Sequence, residues 1–388
     1  MKLLDQIAAA RNWSDEERQV LDQVQRLADE VIAPNAERID RTGDFPWENV
    51  RALNDLGLNA IFIPEAFGGM PMSYALYLEI VSILSEACAS TGIIWATNFH
   101  GMKPLVQFGT DEQRARLLPR IAEGGLGALA ITEPSAGSDA TGMKTTFTPK
   151  GDEIVVRGSK TFISNGDVAD LYLLFGKWSE IPEPKKSISA LIFEKGTPGF
   201  EVISKEHKMG HNGSSTCALS FDGCRVPRAN LIGAPGQGLS ILLASLNKSR
   251  PSIAAHARGI ARAAFKDMVA YGNDRVQGGQ KVLGFQGNQF TLADLACELA
   301  MLEVWIDHVA RLVDSGEEDI GLAASVGKLR ASDLAMRMAT ECVQFHGGYG
   351  YCRDYRAERL MRDAKITQIW EGTNQIHRQL IGRSFLRK

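Results

Sequence analysis

Five runs decide the architecture: LGALAIT (126–132), EIVVRG (153–158), ADLYLLFGK (169–177), SISALIFEK (187–195) and CALSF (217–221). Each is short, rich in residues that favour extended backbone, and bounded by Gly, Pro, Asn or Asp. They predict a compact β domain, barrel or sandwich, over 125–232. On both sides the period becomes helical. Upstream, Ser14 and Glu17 form a capping box ahead of Val20, Leu21, Val24, Leu27 and Val31, which share one face. A helix over about 47–56 stops at Gly57, and Thr110 with Gln113 caps another before 114–123. The stretch 74–108 is apolar nearly all round, the pattern of helices buried on most sides. Beyond Gly238, Phe290, Leu295, Leu299, Leu302, Ile306, Val309 and Val313 mark one long helix face. Leu322, Val326, Leu329, Leu334 and Met338 mark another. The expected fold is α+β and multidomain: a helical N-terminal domain (1–124), a β middle domain (125–232) and a C-terminal four-helix bundle (233–388).

Bulk properties narrow the function. A chain of 388 residues, 44% hydrophobic, can build two or three cores. With 43 basic and 46 acidic residues the net charge is −3, which gives no support to a general grip on nucleic acid. The N-terminus lacks the apolar core of a signal peptide, and no run of ~18 apolar residues could span a bilayer. The expectation is a cytoplasmic protein with no membrane partner. Six scattered cysteines without C-x-x-C read as reduced thiols, and seven histidines without H-E-x-x-H give no metal site.

Several common chemistries lack their signatures. GAPGQG (233–238) has the wrong spacing for a dinucleotide fold and reads as a turn before a helix. GSKT (158–161) lacks the glycine a P-loop needs before its lysine, and no G-x-S-x-G elbow occurs.

Three segments carry chemistry instead. ITEPSAGSDATG (131–142) follows a predicted strand, and its small and hydroxyl residues let backbone N–H groups approach a flat polar ring or a phosphate. KTFISNG (160–166) sets an aromatic among hydroxyls. RDAKITQIWEGTNQIHRQLIGR (362–383) places Glu371 between Trp370 and a Gly-Thr pair.

In this order and spacing, these segments resemble the acyl-CoA dehydrogenase family over nearly the whole chain. FGGM (67–70) and MG (209–210) agree. The resemblance implies that fold, FAD as cofactor, a homotetramer, and electron-transferring flavoprotein as the electron acceptor. It implies Glu371 as the base that takes the α-proton of an acyl-CoA thioester while the β-hydrogen leaves as hydride to the flavin. Leu129, Ile131, Thr132, Gly137 and Ser138 would line one edge of the flavin, and Phe162 and Ser164 would cover it. Arg275, with Gln344, Gly347 and Gly348 of QFHGG and with Gln286, would reach the diphosphate and adenosine half on a neighbouring subunit. Thr373 and Gln375 would hold the near end of the cofactor. Ser138, Asn247, Arg250 and Gly372 would border the substrate, Arg250 helping to orient the carboxylate.

The sequence departs from the family pattern twice. Gly278 replaces an aromatic in Arg275-Val-Gln-Gly-Gly, and Asn247 replaces a frequent acid. Some subfamilies carry the base within 246–250, but Leu-Asn-Lys-Ser-Arg contains no acid, so Glu371 stands alone. Trp95, Phe99 and His100, in the segment 94–102, are expected to shorten the acyl pocket in favour of short, branched or cyclic groups. His346 is read as a packing residue, as are Trp13, Trp47, Trp178 and Trp305. An acyl-CoA oxidase or enoyl-CoA reductase remains the alternative. A DNA-associated flavoprotein would need an added basic C-terminal region, whereas this chain stops at Lys388.

Overall fold

The computed structural model describes residues 2–386. Met1 and Lys388, outer limits of the first and third expected domains, lie outside the described residues. Helix α1 (Lys2–Ala9) is followed by α2 (Asp15–Leu27), which passes through a π-helical turn into α3 (Ala33–Thr42). Then come α4 (Trp47–Asp55), α5 (Tyr74–Ala87), α6 (Ala89–Phe108) and α7 (Asp111–Ala122). Both expected capping boxes form, Ser14 with Glu17 and Thr110 with Gln113. Gly57 ends the α4 segment in the left-handed region, at φ +69°.

The strands are β1 (Gly127–Ala130), β2 (Thr146–Lys150), β3 (Glu153–Ser164), β4 (Leu171–Trp178), β5 (Ile188–Glu194), β6 (Phe200–Lys205), β7 (Thr216–Pro227) and β8 (Leu231–Ile232). They form one sheet in the order β6-β7-β3-β2-β4-β5-β8, with β1 added in parallel to β4. β4 is buried on both faces. Tyr172 and Leu174 enter the core of the β domain, while Leu171, Leu173 and Phe175 join the core shared with the helices. This explains its unbroken apolar run, since a strand covered on both sides need not alternate.

After β8, α8 (Gly238–Asp274) leads through a short hairpin to α9 (Gln286–Asp314) and α10 (Gly321–His346). Two short helices, α11 (Ala357–Thr367) and α12 (Asn374–Arg383), complete the helical part, and the break between them carries Glu371. Two residues assigned to core faces point outward: Phe290 is 61% and Leu322 47% exposed. The buried stripes instead begin at Leu292 and Ala324, two residues further on. Two residues turn a helix by roughly 200°, so Phe290 and Leu322 lie on the opposite faces. Trp47, also assigned to packing, is 44% exposed and leans on Phe45.

A buried ionic knot joins the helices. Arg258 and Arg262 of α8 clasp Glu79 of α5 and Glu303 of α9, and Arg11 bonds to both acids at 2.6 Å. Burial alone would raise Glu303, but Arg262 and Arg258 outweigh it and hold the carboxyl at about 2. All six cysteines are free thiols, and no helix among the described residues is long and apolar enough to cross a membrane.

Candidate active site

The turn between α11 and α12 puts Glu371 in a conformation that L-residues rarely adopt, φ +52°, followed by Gly372 at φ +94°. Such backbone costs on the order of 1–3 kcal/mol and persists only where its surroundings fix it. Here they do. Trp370 N–H donates to the Ile366 carbonyl at 3.1 Å, and Asn374 N–H to the Gln368 carbonyl at 3.0 Å. From α10, the buried Lys328 ammonium donates to the Gly372 carbonyl at 2.7 Å and to Asn374 Oδ1 at 3.0 Å. Burial pulls the Lys328 pKa down to about 7, with Glu371 acting against that fall. Thr373 caps α12 by accepting from Ile376 N–H.

The carboxylate is held from α8. Ser249 Oγ donates to Glu371 Oε2 at 2.6 Å. Arg250, expected to help orient the carboxylate, makes no hydrogen bond to it, although the two charges lie close enough to act on each other. The Arg250 guanidinium is buried and its one side-chain partner is Asn247 Oδ1 at 3.5 Å, leaving Nε without a partner. The orienting hydrogen bond comes from the hydroxyl next door. Pro251 follows directly inside the helix, where its missing N–H frees the carbonyl one turn back. Among the described residues, no backbone carbonyl accepts from the Glu371 N–H, so this donor is available.

The residues expected at the flavin edge lie in the middle domain. Leu129, Ile131, Thr132 and Ser164 are half-buried along β1, the loop after it and the end of β3. Phe162 sits at φ +58° beside a β-bulge and is 63% exposed, an apolar ring held out by strained backbone. Lys160 donates to Glu133 at 2.8 Å and to the Ile131 carbonyl at 2.9 Å, which ties the 131–142 loop to β3. Gly137 and Ser138 are exposed on that loop.

At the far end of α8, about 40 Å from Ser249 along the helix axis, a cleft of about 420 Å³ is lined by Tyr271, Arg275, Gln344, Gly347, Gly348 and Tyr349, among others. Arg275 and all five residues of QFHGG thus share one site. Gln286 is exposed at the start of α9 and outside this lining, and Gln375 is exposed on α12. His346 packs as expected, its ring 4.1 Å from that of Tyr271.

These residues fit a long cofactor with a flat ring and an anionic tail. An exposed aromatic, Phe162, follows Thr161, whose N–H donates to the Thr132 carbonyl beside the half-buried Ile131. A Cβ added at Gly137, Gly347 or Gly348 would meet nothing within 4 Å, and a cation borders the distant cleft. Sequence reasoning missed Ser249, Lys328 and Asn374, whose residue types carry no signal apart from their placement.

The comparisons agree with this geometry. The chain matches the N-terminal, middle and C-terminal domains of acyl-CoA dehydrogenase over residues 14–125, 128–224 and 236–386. It is 42% identical over 365 residues to an acyl-CoA dehydrogenase of Bacillus subtilis, covering 94% of this chain and 96% of that one. It is 39% identical to a cyclohex-1-ene-1-carbonyl-CoA dehydrogenase of Geobacter metallireducens, covering 97% and 99%. Butyryl-CoA dehydrogenase of Megasphaera elsdenii superposes with a TM-score of 0.94 at 36% identity, over 97% of this chain and all of that one. With the strained glutamate, the exposed Phe162 and three domains in register, the chain belongs to the acyl-CoA dehydrogenase family, FAD-dependent oxidoreductases that introduce a double bond into acyl-CoA thioesters.

Proposed function

We propose that Glu371 removes the α-proton of a short, branched or cyclic acyl-CoA in an α,β-dehydrogenation whose electrons leave to electron-transferring flavoprotein. The observation that carries this reading is the Glu371 turn. Glu371 is set in strained backbone next to Trp370, with its carboxylate aimed by Ser249 and its N–H unpaired.

An α-hydrogen beside a thioester is a weak acid, so charge developing on the thioester oxygen must be met by donors fixed beforehand. One such donor contributes ~2.7–4 kcal/mol in comparable sites. The free Glu371 N–H suits that role, so the residue acts through both side chain and main chain. The Ser249 hydrogen bond keeps one carboxylate oxygen occupied and leaves the other to take the proton. FAD, when bound, supplies the hydride acceptor. Leu129, Ile131 and Phe162 would seat its ring, Thr132, Ser138 and Ser164 would bond to its polar edge, and Thr373 would meet its near end. Arg275 with Gln344, Gly347 and Gly348 would take the diphosphate and adenosine half of the cofactor of a second copy. Exposed Phe290, Met301 and Val304 on α9 give that copy an apolar face to cover, in keeping with a homotetramer.

An aromatic wall is one support for this substrate range. Trp95 and Phe99 point inward and are buried, and Tyr77 stacks on Phe99 at 4.3 Å. The relatives named for butyryl and cyclohexenecarbonyl groups support the same range. The test is anaerobic mixing of the yellow protein with butyryl-, isobutyryl-, cyclohexanecarbonyl-, octanoyl- and palmitoyl-CoA. Fast bleaching of the flavin by the short and cyclic thioesters is expected. A rate that climbs steadily through palmitoyl contradicts the short pocket, and no bleaching by any of them contradicts the reaction.

A further inference from the structure

Behind the catalytic turn lies a buried cluster that the reaction above does not use. His256 stands seven residues beyond Ser249 on α8, two turns along the same stripe. Its Nε2 lies 2.8 Å from Nε2 of His211, which belongs to the loop between β6 and β7, and its Nδ1 lies 2.7 Å from Ser85 Oγ. Ser85 donates its one proton to the Val81 carbonyl at 2.6 Å, so it accepts from His256 Nδ1–H. His256 Nε2 is therefore the bare nitrogen and accepts from His211 Nε2–H. That leaves His211 Nδ1 as a lone pair, 3.6 Å from Asp363 Oδ1 and without a hydrogen bond. Burial lowers both histidines, His211 to about 3, so both rings are neutral at working pH. His211 is fixed by its own left-handed backbone, φ +52°, and by its N–H bond to Asp363 Oδ1 at 2.5 Å. The Trp370 indole packs on both rings, with centroids 5.2 and 5.6 Å away.

The stretch of α8 around Ser249 has two unlike ends. At one, Lys103, Gln107 and Lys248 line a narrow cavity and reach solvent. The phosphates of a CoA thioester lie on the carrier side of the sulfur, so these lysines mark the side of entry. Inward from there, His100 and Tyr77 meet on Ser252 Oγ at 3.0 and 2.9 Å. At the other end His256 and His211 are 0% and 2% exposed, with Trp370 against them.

We infer that the His211–His256 pair, backed onto Trp370, is the closed end of the acyl pocket and sets the longest acyl group the enzyme accepts. This rests on the reading of Glu371 as the base. A wall of this kind does not yield as a leucine or methionine would. Turning either ring aside breaks the relay from Ser85 to His211 and leaves further buried nitrogens unpaired. The pair is thus a specificity-determining element that touches neither the transferred proton nor the hydride.

The experiment compares kcat/KM for butyryl-CoA and octanoyl-CoA in the wild type, His256→Ala and His256→Gln holoenzymes, with Glu371→Gln as control. Removing the imidazole opens the end wall, and the octanoyl-to-butyryl ratio rises by about tenfold or more as extra methylenes find burial. Glutamine refills the volume and can rejoin the hydrogen-bond chain, so it brings the ratio back toward wild type. An unchanged ratio in flavin-loaded His256→Ala overturns the inference. Should that variant fail to retain FAD, His211→Ala opens the same wall from the middle domain, with the same rise expected and the same unchanged ratio overturning it. Near wild-type turnover by Glu371→Gln would instead overturn the assignment of the base, an outcome the chain-length ratios do not share.

Discussion

At the scale of single residues, the glutamate was legible and its support was not. Glu371 stands in a run whose order of residue types is distinctive, so the sequence alone singles it out. Ser249 is one hydroxyl among many in a helix, and nothing local says that it faces an acid 122 positions later. Lys328 reads as a solvated helix lysine until the fold buries it under the Gly372 carbonyl. The arginine beside Ser249 drew attention because charge is easy to see in a sequence, yet the hydroxyl makes the bond. Ser249→Ala therefore carries a definite expectation. A hydrogen bond to a charged group contributes about 1.5–3 kcal/mol, so the rate of flavin reduction should fall about tenfold or more with FAD content unchanged. A variant as fast as wild type would mean that the carboxylate is aimed by something else.

At the scale of elements, periodicity located the long helices and β-rich runs located the sheet, because one-sided burial writes itself into spacing. It failed at helix ends. Phe290 and Leu322 fit an apolar count but lie two residues ahead of the buried stripes, on the exposed side. The break between α11 and α12 was less visible still, since Glu-Gly-Thr reads equally well as an ordinary helix stop. In the proposed reaction that break carries the base. Gly372 holds φ +94°, and a Cβ there would meet His377 Nε2 at 3.1 Å. Gly372→Ala should cost about 1–3 kcal/mol of stability and depress turnover further than that loss alone explains, because the shifted turn carries the base with it. Thermal unfolding and kcat measured on one preparation decide the matter. An alanine variant with wild-type kcat would show that the left-handed turn is incidental.

At the scale of the whole molecule, distant contacts join the N-terminal and C-terminal helical parts. Glu79, Glu303, Arg11, Arg258 and Arg262 lie far apart in sequence, and each alone looks like a surface charge. Because the knot depresses the Glu303 carboxyl to about 2, below its ordinary value near ~4.3, its contribution is present above that ordinary value. It is lost as pH falls toward about 2, where the folded state must also take up the proton. Glu303→Gln should lose about 3–5 kcal/mol at neutral pH by leaving buried guanidinium groups underpaired, and its stability should fall less steeply in acid. Equal losses at pH 7 and pH 3 would contradict this. Assembly is tested at the other end of α8. Arg275→Ala should weaken FAD retention and oligomer mass together if its cleft serves a neighbour's cofactor. If both stay unchanged, the proposed sharing between copies is wrong.

The central claim is that one carboxylate starts the reaction, and Glu371→Gln tests it most directly. The substitution keeps the shape, the main-chain N–H and the contact with Ser249, and deletes only the base. Stopped-flow reduction of the bound flavin by a saturating short-chain acyl-CoA, under anaerobic conditions, should slow by several orders of magnitude while FAD and thioester binding persist. Reduction at even a tenth of the wild-type rate would show that another group takes the proton.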